Sequence, residues 1–239
     1  MSAVAPSLPA TALSGLILAG GRAERMGGID KGLVPYLNRP LIETALARLQ
    51  GQVSQLMINA NRNRSNYESY GYPVLADDHL IKASKPSTTI DSVTSQPAYF
   101  GPLAGFSIGL KYCQTEYLLT VPCDSPLFPL DLGARLSAEL LRGQFDLVYA
   151  RSADSTGQVW NQAVFCLMKK NLRVSLEQFL ASGARKIDRW FELVNSSFVL
   201  FDNELAFANA NTREELAHLE ALAQLVAPNQ LPAQHQAKS

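Results

Sequence analysis

Residues Gly15–Ala19 form a short, wholly apolar run that opens directly into a glycine-rich, basic loop ending at Lys31-Gly32. A strand with no polar alternation must be covered on both faces, which points to a central place in a parallel sheet flanked by helices. Five of the chain's 15 glycines lie between Gly20 and Gly32, so their density is a local requirement rather than background composition. Glycine lets the backbone come close to a ligand and turn its N–H groups inward. Successive N–H groups around a concavity bind anions, and Arg22, Arg25 and Lys31 add full positive charges to those partial ones. The guest such a loop suits is a polyphosphate. A P-loop would need Ser or Thr after the lysine, but Gly32 follows Lys31. The dinucleotide fingerprint G-x-G-x-x-G has no match among Gly20, Gly21, Gly27 and Gly28.

Strand and helix patterns alternate along the rest of the chain. Further strands are expected at Gln55–Ala60, Pro73–Ala76, Tyr117–Val121, Phe145–Ala150 and Gln162–Met168, with an edge strand at Phe198–Phe201. Helices are expected at Pro40–Leu49, Pro102–Tyr112, Asp131–Leu141, Leu172–Ala181 and Lys186–Leu193, the third with Asp131 as N-cap. Thr212-Arg213-Glu214-Glu215 is a capping box that opens a last helix through Leu222. Repeated βα units predict a three-layer α/β fold with a mainly parallel central sheet.

Ligands in such sheets sit beyond the carboxyl ends of the strands, where the strand order reverses. The glycine loop leaves the first strand, Asn59 closes the second, Asp77-Asp78 follow the third, and Asp124 follows Tyr117–Val121. Pro122 and Pro126 hold Asp124 in a stiff, non-helical loop. Magnesium takes hard oxygen ligands and commonly needs only one or two carboxylates when a nucleotide supplies the remaining oxygens, so Asp124 is a candidate magnesium ligand. Asn59 offers both a donor and an acceptor, which suits a purine edge as well as the local backbone.

Composition adds bounds. The 239 residues suit one domain over 13–225, with a disordered Ala/Pro/Ser-rich lead-in at 1–12 and a disordered tail at 226–239. Lys and Arg total 21, as do Asp and Glu, so charge argues for neither a nucleic-acid nor a membrane partner. Cys113, Cys123 and Cys166 are odd in number and widely spaced, as expected of reduced thiols in the cytoplasm, with Cys123 a small buried filler. His79, His218 and His235 show no metal-binding spacing.

The run L-A-G-G-x-x-x-R-M-G-G-x-D-K-G from Leu18 to Gly32 resembles the signature loop of the molybdenum cofactor guanylyltransferases, within the nucleotidyltransferases of Rossmann-like fold. The resemblance continues in order through Asn38-Arg39-Pro40-Leu41, Asn59-Ala60-Asn61-Arg62, Gly101–Gly105, Pro122–Pro126 and Asn209–Thr212, spanning roughly 13–222. It implies a Mg²⁺-dependent enzyme that transfers GMP from GTP to molybdopterin. It places nucleotide contacts at Leu18, Ala19, Gly20, Gly21, Lys31, Asn59, Asp77 and Asp124, catalytic roles at Lys31, Arg25 and Asp124, the metal on Asp124, and pterin contacts at Asn209 and Asn211. Asn211 also suits the capping of the last helix. The partners implied are GTP, molybdopterin and, transiently, molybdoenzymes or their chaperones, with the chain acting as a monomer. A CTP-using relative, another GTP-dependent transferase and a non-catalytic cofactor-delivery protein remain alternatives at this point. Two departures stand out. His79–Phe100 is longer than the family's usual connection, and 81–98 is expected to be a mobile surface insertion. Trp160-Asn161-Gln162 stands where the family often carries a His/Pro pair near the second substrate.

Overall fold

A computed structural model describes residues 6–20, 30–77 and 101–226. In chain order the described elements begin with β1 (Leu13–Leu18), β2 (Pro35–Tyr36), β3 (Arg39–Pro40), α1 (Leu41–Gln50), β4 (Gln55–Asn59), α2 (Arg64–Glu68) and β5 (Val74–Leu75). They continue with α3 (Pro102–Tyr112), β6 (Tyr117–Pro122), α4 (Leu132–Gly143), β7 (Leu147–Ala153) and β8 (Val159–Lys169). The last are α5 (Arg173–Ala181), α6 (Ile187–Phe191), β9 (Ser196–Phe201) and α7 (Arg213–Val226). Seven strands make one sheet in the order β5-β4-β1-β6-β8-β7-β9, and β2 and β3 form a separate hairpin. All neighbours in the sheet are parallel except those of β8, which runs antiparallel to β6 and β7. The mainly parallel α/β architecture expected from the sequence is realised.

Side chains on a strand alternate between faces, and that alternation builds the three layers. Leu16, Met57, Leu118, Leu147 and Cys166 pack on one face with residues of α3, α5 and α6. Their chain neighbours Ile17, Ile58, Leu119, Val148 and Leu167 pack on the other with residues of α1 and α4. Helix α7 closes a third cluster, in which Leu216, Leu219 and Ala223 meet Val34, Tyr36 and Leu41. No helix among the described residues is long and apolar enough to cross a membrane.

Several details differ from the sequence-based expectations. Strand β8 begins at Val159 rather than Gln162, because the turn after β7 lets it pair as a hairpin. Asp154 Oδ1 accepts hydrogen bonds from the Thr156 and Gln158 backbone N–H groups, and Gly157 takes φ 84°. Asp131 precedes α4 but makes no side-chain cap; Gln52 Oε1 instead accepts from Gly133 N at 2.7 Å, near the start of that helix. Of the lead-in at 1–12, residues 1–5 lie outside the described residues, and 6–12 make contacts with the domain. Ala10–Ala12 form a 3₁₀ turn, Leu8 packs on the core, and Leu8 N donates to Ser137 Oγ. The tail beyond Val226 and the insertion at 81–98 lie outside the described residues.

Candidate active site

Strand order reverses between β1 and β6, since the chain runs outward from β1 through β4 to β5 and then returns to β1's other edge. The register lines up one row across four strands: Leu75, Asn59, Leu18 and Pro122. Two residues beyond that row stand Asp77, Asn61, Gly20 and Asp124. Residues far apart in sequence thus leave neighbouring strand ends together, and they form two connected clusters.

The first cluster surrounds Asn59, which is 3% exposed. Its Nδ2 donates to Leu75 O at 3.1 Å and to Asp77 Oδ1 at 2.8 Å. Asn61 Nδ2 donates to Asp77 Oδ2 at 2.7 Å, and Asp77 N returns a bond to Asn61 Oδ1 at 2.9 Å. Ala19 N donates to Asn59 O, and Cys123 N donates to Leu18 O, which ties the loop entrance to both neighbouring strands. A Cβ on Gly20 would stand 3.1 Å from Asn61 Nδ2 and 3.3 Å from Asn59 Oδ1. The glycine there first serves close packing on these two amides. Gly105 in α3 serves the same end, because a Cβ would press on Leu18 Cδ2 and lie 2.7 Å from Asn59 Oδ1.

The second cluster surrounds Lys31, whose Nζ donates to Asp124 Oδ2 at 3.0 Å and to Asn211 Oδ1 at 2.5 Å. Both partners of the ion pair are partly shielded, with side chains 21% and 16% exposed. Asp124 O accepts from Ala210 N at 2.8 Å, and Ser125 Oγ donates to Asn209 Oδ1. The capping box then fixes this late segment: Glu215 Oε2 accepts from Asn211 N and Thr212 N, while Glu215 N donates to Thr212 Oγ1. Asn211 thus lies beside the capped helix start and against Lys31.

The structure brings together Leu18, Ala19, Gly20, Lys31, Asn59, Asp77, Asp124, Asn209 and Asn211. Gly21, Arg25 and Asp78 lie outside the described residues. Sequence reasoning missed Asn61, whose signal was its two-residue spacing from Asn59 on one strand end. It also missed the support behind Lys31. Asp30 is 6% exposed and accepts from Tyr67 Oη at 2.5 Å and from Asn63 Nδ2 at 3.1 Å. Burial, then the neighbouring Cys123 and Asp30, push the Tyr67 hydroxyl well above its usual range, so it remains a donor. Burial, helped by the negative charges of Asp124 and Asp30, likewise raises Cys123, which stays a neutral filler. All three cysteines are free and buried.

No group of three or more His, Cys, Asp or Glu side chains able to hold a metal gathers among the described residues. The donor set fits a magnesium ion shared with a ligand's phosphates, since one hard carboxylate meets the protein's share of such a site.

The sequence profile of the MobA-like NTP transferase domain matches residues 15–196. A molybdenum cofactor guanylyltransferase of Polynucleobacter asymbioticus is 57% identical over 87% of this chain and 96% of its own length. One from Bordetella petrii is 49% identical over 87% and 97%. Among solved structures, molybdopterin-guanine dinucleotide biosynthesis protein A from Archaeoglobus fulgidus superposes with a TM-score of 0.66 at 19% identity, covering 89% of this chain and 99% of that one. At that identity the likeness speaks to the fold.

Proposed function

The chain belongs to the molybdenum cofactor guanylyltransferases, within the MobA-like NTP transferases, and from that premise we propose that it transfers GMP from GTP to molybdenum-loaded molybdopterin. A terminal phosphate oxygen of the acceptor attacks the α-phosphorus of GTP. The new O–P bond forms as the bond to the β-phosphate oxygen breaks, and pyrophosphate leaves. The observation that carries this reading is the Lys31–Asp124–Asn211 contact at the sheet's switch point, where a cation, a carboxylate and the late amide segment meet.

No protein nucleophile is needed; the chain's task is to align two polyanions and offset their charge. Lys31 neutralises the triphosphate and the departing pyrophosphate. Asp124 is the residue suited to hold Mg²⁺, which when bound would supply Lewis-acid stabilisation of the phosphate charge. The Asn59–Asp77–Asn61 cluster presents amide and carboxylate groups suited to a purine edge, and the Asp77 carboxylate retains acceptor capacity beyond its two amide bonds. Asn209 and Asn211 face the acceptor.

The test is pyrophosphate release by the purified protein given metal-loaded molybdopterin and each nucleoside triphosphate in turn. GTP is expected to support release and formation of the guanine dinucleotide. Release with CTP in its place, or none with any nucleotide, would overturn the assignment.

A further inference from the structure

A pocket of about 300 Å³ opens beside Asn211, walled by Ser152 of β7, Trp160 and Gln162 of β8, and Phe207 and Asn209 of the segment before α7. Its volume is at the lower end of the range for small-molecule sites. Asn211 belongs to this pocket and to the phosphate end at once, because its Oδ1 accepts from Lys31 Nζ. The two regions are therefore joined, and an acceptor whose phosphate reaches Lys31 and Asp124 directs the rest of its body into the pocket.

Trp160 is the unusual wall. The residue is 55% exposed, unusual for so large an apolar ring. The indole is also fixed, since Nε1 donates to Asp154 Oδ2 at 3.2 Å. Asp154 is fixed in turn by the Thr156 hydroxyl at 2.6 Å and by two backbone N–H groups of the β7–β8 turn. A ring pinned at its N–H edge keeps its apolar faces for stacking, the arrangement in which an amphipathic aromatic contributes most to a ligand. Gln162 lies two residues along the same strand and therefore on the same face. Its Nε2 is committed to Ser152 Oγ at 3.0 Å, so its carbonyl oxygen is what it chiefly offers a ligand. Asn209 Oδ1 takes the Ser125 hydroxyl, which leaves the Asn209 amino group as the complementary donor. A flat ring with an acceptor-and-donor edge meets all three: a face to stack on, an acceptor and a donor.

We propose that Trp160 is the stacking platform for the acceptor's bicyclic pterin ring and sets the acceptor's affinity, a role that rests on the guanylyl-transfer reading above.

The experiment combines steady-state kinetics with calorimetric titration by 6-hydroxymethylpterin phosphate, a stable probe that carries the ring and phosphate. Trp160→Ala is expected to raise the KM for molybdopterin and the dissociation constant for the probe by about 5- to 150-fold, the range for losing one ring–aromatic stack. The KM for GTP should keep its wild-type value. Trp160→Phe, which retains a stacking face but loses the bond to Asp154, should recover most of the affinity. Circular dichroism should show Trp160→Ala folded, as expected for a residue more than half exposed. A folded Trp160→Ala protein with wild-type probe affinity and wild-type KM for molybdopterin would overturn the stacking role and leave guanylyl transfer intact. Absence of pyrophosphate release by the wild-type protein with GTP and molybdopterin would instead overturn the reaction.

Discussion

Tyr67→Phe removes one oxygen and tests whether Asp30 anchors the exit of the glycine loop. Tyr67 is fully buried and its hydroxyl donates to Asp30 Oδ1 at 2.5 Å. Without it, Asp30 keeps Asn63 Nδ2, which belongs to an exposed residue, as its remaining side-chain donor among the described residues. A hydrogen bond to a charged group contributes about 1.5–3 kcal/mol, and loss of a single oxygen leaves too little space to add a cavity term of similar size. For a domain of this length each kcal/mol shifts Tm by about 2–4 °C, so Tyr67→Phe should melt about 3–12 °C lower. The geometry supplies a sharper check. A Cβ on Gly32 would lie 2.5 Å from Tyr67 Oη and 3.2 Å from Cε1, so Gly32→Ala alone forces the ring or the loop to move. In Tyr67→Phe the closest of those atoms is gone. The double variant should therefore lose less stability than the two single losses added, and the coupling should exceed about 0.5 kcal/mol. Thermal unfolding followed by circular dichroism reads both quantities. A Tyr67→Phe melting temperature within about one degree of wild type, together with strict additivity, would refute the anchor.

Asp124→Asn keeps the backbone bond from Ala210 but loses the charge opposite Lys31, and with it the carboxylate proposed to hold magnesium. Turnover with saturating Mg²⁺ should fall by about 100-fold or more in a folded protein, and near-normal turnover would remove the metal role. Lys31→Ala should weaken GTP far more than guanosine in calorimetric titration, if its charge acts on the triphosphate as proposed; equal weakening of both would show that Lys31 serves the base or the fold instead. All three thiols are buried, and burial pushes Cys166 up to about 12 and Cys123 well above its usual range. Native protein at pH 8 should accordingly resist alkylation until denaturant is added, and rapid labelling of Cys123 without denaturant would contradict its packing.

Much of the scaffold was readable because its signals are local. The apolar run before Gly20, the proline-bracketed Asp124 and the Thr212–Glu215 capping box each carry a physical requirement within a few residues, and α3 has the predicted bounds, Pro102–Tyr112. What escaped the sequence depends on distant partners. Tyr67 sits on α2, a five-residue helix that follows Asn63 at φ 47° and is too short to show a helical period. Its link to Asp30 bridges 37 positions. The composition of residues 6–12 reads as disorder, yet Leu8 N finds Ser137 Oγ 129 positions away. Neither contact has a sequence period to announce it.

The same distinction explains why the convergence of these strand ends was legible while their pairing was not. Strand ends can be read singly, but the row Leu75–Asn59–Leu18–Pro122 exists only through the register of three parallel pairings. That register is held by the core. Leu16 and Met57 must face one helical layer while Ile17 and Ile58 face the other. A slip of one residue between β1 and β4 would exchange those faces along the strand. It would also carry Asn59 away from Gly105, where the missing Cβ now admits Asn59 Oδ1. The bonds from Asn59 and Asn61 to Asp77 depend in turn on the neighbouring β4–β5 register, in which Asn59 stands opposite Leu75. The apolar alternation that buries the sheet thus also determines which amide meets which carboxylate at these strand ends.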